Sequence, residues 1–278
     1  MGWFINSKLS ISSPNRIVLC IEYQGTEFNG WQAQKPIEIS TVQEVLESAI
    51  SQVADESIKA HCAGRTDKGV HASAQIVHFD TISERPLKAW VRGCNALLPN
   101  SVVVRWAKQV DEGFHARFSA LSRRYSYLIY NNKVPTALLQ GQVSSYFHRL
   151  NAESMHEAGQ YLLGERDFSS FRGSGCQSNT AIRNVTHLKV SRTGDFVIID
   201  IKANAFLFHM VRNIVGALLE VGEGQRKPQW LEQVLKHKDR SQAGITAPPE
   251  GLYLLEVGYP DRYELPSGLW VMPFIKSS

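Results

Sequence analysis

The stretch Ala63-Gly64-Arg65-Thr66-Asp67-Lys68-Gly69-Val70-His71-Ala72 places one carboxylate between two cations and two glycines. Arg65 and Lys68 flank Asp67, and neighbouring positive charge favours the ionised form of a carboxyl group. Gly64 and Gly69 offer left-handed turns or close approach of the backbone to a ligand. Such a loop presents a single acid at a fixed place. It points to an enzyme that works with one carboxylate, and no second acid, metal or cofactor motif stands beside it.

Other segments hold residues of chemical use. From Leu207 onward, Met210, Val211, Ile214, Val215 and Leu218 form an apolar helical stripe. His209, Arg212, Asn213 and Gly216 recur at i, i+3, i+4 and i+7 on another side. A row so poor in Lys and Glu has two readings. It faces a cleft, with Arg212 available to a carboxylate or phosphate, or it packs half-buried with Arg212 in a structural pair. Tyr125 shares a strand face with Arg123 and Tyr127. A tyrosine at a cleft stacks on a base or moves a proton, while strands also use aromatics simply as core. Phe168-Ser169-Ser170-Phe171-Arg172 reads either as a loop with stacking aromatics or as one anchored by two buried rings. His71 and His78 are catalytic only by residue type.

Much is absent. There is no HExxH, no GxSxG, no P-loop and no defensible Ser-His-Asp order. Gly173-Ser174-Gly175 lacks a following Lys, so ATP and NAD chemistry are unsupported. Cys20, Cys62, Cys94 and Cys176 are widely spaced without a CxxC pair. Neither a disulfide framework nor a zinc site is expected, and the cysteines read as small buried hydrophobes.

These residues need elements to position them. Asn15 to Tyr23 reads as a strand. Thr41 to Ala54 reads as a helix, with Thr41 and Glu44 forming a capping box. Ser57 to Cys62 and Ala74 to Phe79 are strands entering and leaving the Asp67 loop. Pro86 to Leu98 is a helix and Ser101 to Val110 a strand. A boundary follows at Asp111-Glu112-Gly113. Beyond it, Arg123 to Tyr130 is a strand, and Asn151 to Leu163 a helix with Gly164 beyond its end. Ile182 to Val190 and Phe196 to Lys202 form a hairpin through Thr193-Gly194-Asp195. Leu207 to Val221 and Pro228 to Lys236 are helices, and Gly251 to Val257 a last strand. Hairpins and short connections favour an α+β fold with mainly antiparallel pairing. The expected organisation is an N-terminal extension (1–14), two similar α+β units (15–112 and 113–260) and a C-terminal tail (261–278).

The 278 residues are 43% apolar and 20% charged with a net charge of +4, an ordinary globular composition. No apolar run approaches a membrane span, Met1 to Pro14 has no secretory pattern, and a cytoplasmic protein is expected. Basic clusters at Arg123-Arg124, Arg226-Lys227 and Lys236-His237-Lys238 with Arg240 permit a polyanionic partner, though each alone reads as a solvated face.

Taken together these segments resemble the bacterial tRNA pseudouridine synthase A family. The matching stretches, in order, are Tyr23 to Gln32, Gly64 to Ala72, Asn95 to Pro99, Phe114 to Phe118, Arg124 to Tyr127, Asp167 to Arg172, His209 to Gly216 and Ala247 to Tyr253. The resemblance implies a pseudouridine synthase fold, two α+β halves around a basic RNA-binding cleft. It implies isomerisation of uridine at positions 38, 39 and 40 of the tRNA anticodon stem-loop, a homodimer, and no cofactor or metal. On it Asp67 is the catalytic aspartate and nucleophile, Tyr125 covers the target base, and Arg212 pairs with the aspartate. Arg65 helps to extrude the base, and Lys68, His71, Arg123 and Phe168 join Arg65 and Tyr125 as expected RNA contacts. Whether the aspartate adds to the base, attacks the sugar, or holds charge while C2′ loses a proton stays open. Asn29, Lys68 and Phe208 depart from the residues common there. A non-catalytic RNA-binding module, or a small-molecule hydrolase using Asp67 and His71, are the competing readings.

Overall fold

A computed structural model describes residues 14–32 and 40–266. The expected N-terminal extension, apart from Pro14, and most of the expected tail lie outside the described residues.

The strands among the described residues form one continuous sheet of ten: β4-β1-β3-β10-β5-β9-β8-β7, with β2 beside β3 and β6 beside β5. The first half supplies β1 (Asn15–Tyr23), α1 (Val42–Ala54), β2 (His61–Cys62), β3 (His71–Thr81), α2 (Leu87–Leu97) and β4 (Val102–Val110). The second supplies β5 (Ser122–Asn131), β6 (Ser144–Tyr146), α3 (Ala152–Gln160), β7 (Gly164–Asp167), β8 (Ile182–Thr193) and β9 (Phe196–Ala203). It ends with α4 (Met210–Gly222), α5 (Trp230–His237) and β10 (Leu252–Gly258). Pairing is antiparallel as expected except for β10 with β3 and β5 with β6.

β10 joins the halves. It runs parallel to β3, with Tyr253 opposite His71, and antiparallel to β5, with Leu254 opposite Tyr125. The expected boundary at 111–113 therefore does not separate two sheets. Phe114 and Ala116, just beyond it, pack beneath the first half against Val18, Cys20 and Ile76.

Alternation along the strands divides the sheet into two faces. On one, Leu19, Val77, Tyr127 and Ile199 join residues from the five described α-helices, including Leu46, Trp90, Met155, Ile214 and Leu231, in one core. The other face carries two smaller clusters under loops.

Local differences have local causes. Only His61–Cys62 of the expected strand 57–62 pairs with β3. The residues before it are held by side chains of α1: Ser51 Oγ accepts from Ile58 N at 2.9 Å, and Glu47 Oε1 accepts from Ala60 N at 3.0 Å. Gly164 adopts φ +84° as a chain-reversal residue but opens β7 rather than merely ending α3. The four cysteines are free.

Candidate active site

The Asp67 loop leaves β2 and enters β3, and its backbone is tied down at each end. Gln75 binds Gly64 on both sides, accepting from its N–H at 3.3 Å and donating to its carbonyl at 2.6 Å. Thr66 accepts from Trp31 N at 3.0 Å through its carbonyl, and its hydroxyl meets the Tyr23 hydroxyl at 2.8 Å. Gly69 takes φ +79°, the left-handed turn that its sequence position suggested; Gly64 does not. Gly25 lies so close beneath the loop that a Cβ would come within 2.0 Å of the Val70 carbonyl oxygen.

Arg65 and Lys68 do not pair with Asp67. The cations beside its carboxylate come from the second half of the chain. Arg212 Nη1 donates to Asp67 Oδ2 at 3.1 Å, and His209 Nε2 lies 3.2 Å from the same oxygen. Arg212 is itself fixed, because its Nε donates to the Ala247 carbonyl at 2.8 Å. His209 stands at the start of α4 with φ 59°, a left-handed conformation that a side chain resists. Its imidazole stacks on Phe208 with centroids 3.8 Å apart. Burial lowers the His209 pKa, against the opposing pull of Asp67 and with help from Arg212 and Arg240. A neutral imidazole carrying its proton on Nε2 donates to Oδ2, so Asp67 is gripped at one oxygen by two donors.

Tyr125 on β5 projects beside this pair. Its ring meets Phe206 edge-on at 5.1 Å, and a Cβ on Gly64 would sit 3.8 Å from its hydroxyl oxygen. Burial pushes the phenol pKa up to about 12, with Asp67 adding to the rise and Arg123 opposing it. Asp67, Tyr125, His209 and Arg212 all line one cleft of about 2690 Å³ that crosses both halves. Small-molecule sites run to roughly 300–1,000 Å³, so this cleft suits a larger ligand. Among the described residues its walls carry seven lysines and arginines against three carboxylates.

Residues 19–119 and 158–260 match the family model described as tRNA pseudouridine synthase. The chain belongs to that family. It is 59% identical to tRNA pseudouridine synthase A of Aliivibrio fischeri strain MJ11, covering 90% of this chain and 95% of that one. The proteins of the same name from Vibrio parahaemolyticus and Tolumonas auensis are 55% and 54% identical over 90% of this chain, covering 94% and 95% of theirs. Among solved structures, an H/ACA RNP bound to a substrate RNA containing 2′-deoxyuridine is similar at 12% identity and a TM-score of 0.30, covering 73% of this chain and 53% of that one. That weak likeness adds nothing to the family assignment.

As a pseudouridine synthase, the chain distributes the other expected RNA contacts unevenly. Arg65 and Lys68 are exposed on the cleft wall. Arg123 also lines the cleft, but its guanidinium is spent on the carbonyls of Ala63, Arg117 and Asn204. It straps the root of the Asp67 loop to β5. His71 is not a contact surface: it is buried, Nδ1 accepts from Gly25 N at 3.0 Å, and Nε2 lies 3.1 Å from the Glu250 carbonyl. With both nitrogens engaged it is a structural brace, and the hydrolase reading that paired it with Asp67 loses its base. Phe168 is wholly buried beside Phe171, so the segment is the anchored loop of the two alternatives.

The second row of α4 divides in the same way. Arg212 and His209 reach the cleft, whereas Asn213 is buried and donates to the Phe171 carbonyl at 2.8 Å. Gly216 meets the Ile245 carbonyl, where a Cβ would come within 1.8 Å. Of the basic clusters, Arg124 pairs with Asp200, Arg226 with Glu220, Lys236 with Glu232 and Lys238 with Asp167, all off the cleft. The contact of His209 with Asp67 is not legible in the sequence. Its membership of the Arg212 row is the available signal. Among the described residues no group of three or more His, Cys, Asp or Glu is arranged to hold a metal.

Proposed function

We propose that this chain isomerises uridine to pseudouridine at positions 38, 39 and 40 of the tRNA anticodon stem-loop, with Asp67 as nucleophile. The observation that carries this reading is the meeting of Asp67 with Arg212, 145 residues apart in sequence, in a large basic cleft. The reaction breaks the N1–C1′ bond and forms C5–C1′. The C5 proton leaves and N1 ends protonated, so neither redox change nor hydrolysis occurs. Among the described residues, the two side-chain contacts to the Asp67 carboxylate both fall on Oδ2. Oδ1 is the oxygen left to react.

Tyr125 acts on this reading as a neutral ring over the base. A phenol with a pKa of about 12 is ionised to roughly one part in 10⁵ at pH 7, so it is a poor base for the C5 proton. The target uridine leaves its stack at a cost of a few kcal/mol, and on this reading Arg65, exposed on the cleft wall, contacts the gap that it vacates. Lys68 and other cleft cations bind phosphates, giving affinity that falls with salt. The homodimer comes with the family resemblance, and the cytoplasmic setting with the sequence pattern. No helix among the described residues is long and apolar enough to cross a membrane.

The test is pseudouridine mapping of tRNA from cells with and without this chain, and with Asp67→Asn. The signal at positions 38 to 40 is expected to vanish without the chain and with the variant, while purified Asp67→Asn still binds tRNA. An unchanged signal in cells lacking the chain refutes the substrate assignment. A variant that supports full modification refutes the role of Asp67.

A further inference from the structure

The Phe114-His115-Ala116-Arg117-Phe118 segment takes no part in the chemistry above, yet it builds an unusual piece of the cleft wall. Phe118 is 76% exposed. Beneath it lies the His115 ring, centroids 4.3 Å apart and 37° between planes. His78 backs His115 at 4.6 Å, and His61 stacks on His78 at 5.1 Å. The column is rigid at its tip. His115 Nδ1 accepts from Arg117 N at 3.1 Å and Phe118 N at 3.4 Å, while Ser119 closes the turn through its N–H and its hydroxyl. Burial lowers the pKa of His115, with the nearby His61, Arg16 and Arg117 adding to the fall. The ring therefore supports Phe118 as a neutral aromatic. Arg117 sets its guanidinium 5.7 Å from the Phe118 centroid, and both residues line the cleft.

Position ties this feature to the catalytic loop. One nitrogen of Arg123, Nη2, donates to the Arg117 carbonyl at 2.8 Å and to the Ala63 carbonyl at 3.0 Å. The platform and the root of the Asp67 loop thus share a single anchor. An exposed ring wedged in place, beside a cation and inside a basic cleft, matches what single-stranded nucleic acid needs. A base stacks on the ring while its phosphate meets the arginine.

We propose that Phe118 is a stacking subsite for an unpaired nucleobase flanking the target uridine, with Arg117 on the adjoining phosphate. This rests on the reading of the cleft as an RNA site. The test measures binding of the full chain to an anticodon stem-loop RNA over a range of salt, with mass by sedimentation and pseudouridine formation by the wild type followed in parallel. Phe118→Ala is expected to weaken binding about 5- to 150-fold, the span of base–aromatic stacking, with the salt dependence unchanged. Phe118→Trp should keep wild-type affinity and Phe118→Leu should lose it as Phe118→Ala does. Arg117→Ala should make the salt dependence shallower by about one phosphate contact. An abasic residue at the stacked position should abolish the difference in affinity between the wild type and Phe118→Ala.

Wild-type affinity in Phe118→Ala or in Phe118→Leu overturns the subsite. So does a loss that tracks a change in sedimenting mass, which would mean that a second copy covers the ring. If the wild type makes no pseudouridine while the ring variants still lose RNA, the reaction reading fails and the subsite stands. If pseudouridine is made and binding is blind to the ring, the subsite alone fails.

Discussion

Helices α1 and α4 each run thirteen residues, and they begin in opposite ways. α1 opens on Thr41 in extended backbone. Its hydroxyl accepts from Glu44 N, and Glu44 Oε2 accepts in return from Thr41 N at 3.1 Å. Every group there serves the helix. α4 opens on His209 in left-handed backbone with no side-chain cap, because the imidazole is turned to Asp67. One start is arranged for local stability and the other gives up local stability to place a side chain. The difference shows where selection on chemistry has displaced selection on folding.

The comparison breaks most sharply at Arg212. Removing its guanidinium takes the principal donor from Asp67 and leaves the Ala247 carbonyl unpaired. Arg212→Ala is expected to lower kcat by about 10²- to 10³-fold, the scale of losing one preorganised donor at a charged group. Single-turnover kinetics on tRNA read this directly, and a fall of less than tenfold would place the support of Asp67 elsewhere.

Gly216 tests the packing behind that arginine. A methyl group there meets the Ile245 carbonyl within 1.8 Å. Both are backbone-bound, so Gly216→Ala must shift α4 or the 245–247 stretch of chain that holds Arg212. A loss of about 2 kcal/mol or more is expected from urea unfolding. Retained stability would mean that the segment yields easily and is not what sets the position of α4.

These two helices also mark what the sequence could reveal. The apolar stripe and capping box of α1 are local, and its bounds are legible to within a residue. Periodicity starts α4 at Leu207 rather than Met210, because it says nothing of a left-handed turn at His209. Asn213 and Gly216 look like a cleft face, since a small or polar residue suits an approaching ligand and an approaching backbone equally. β6 and β7, three and four residues long, carry no alternation of their own and exist through β5 and β8. The parallel seating of β10 on β3 depends on residues some 180 positions apart, beyond any local pattern. The pairing of Arg212 with Asp67 becomes an expectation only through family resemblance.

A second histidine carries the comparison to the loop side of the site. Burial lowers His71 to about 4 from its ordinary 6.5, against weaker opposing bonds to Glu250 and Gly141. Between these values the unfolded chain binds more protons than the folded one. Stability is therefore whole above pH 6.5 and declines as pH falls towards 4. One such histidine contributes at most about 1.4 kcal/mol per pH unit. His78, lowered to about 3 chiefly by burial, adds a decline of the same sign. The unfolding midpoint measured from pH 7 to pH 5 should fall for the wild type and fall less steeply for His71→Gln. Parallel slopes would remove His71 as the titrating brace.

The smallest effects separate the two helix starts most cleanly. Thr41→Ala deletes a cap on the cleft wall whose polar contacts are with Glu44 and not with Asp67, Tyr125, His209 or Arg212, and should cost about 0.5–2 kcal/mol of stability. Turnover per folded molecule should stay as it was. His209→Gly relieves a φ of 59° that costs a side chain about 1–2 kcal/mol, and glycine's greater freedom in the unfolded chain offsets part of the gain. Stability should stay within about 1 kcal/mol of the wild type while kcat falls at least about tenfold, since one hydrogen bond to a charged group contributes about 1.5–3 kcal/mol. His209→Asn tolerates the same backbone and retains a donor, so it should recover part of that loss. Thermal unfolding and kcat measured on the same preparations decide the matter. If His209→Gly lost stability and kept its rate, the left-handed start of α4 would be an ordinary structural choice, and Arg212 alone would hold Asp67.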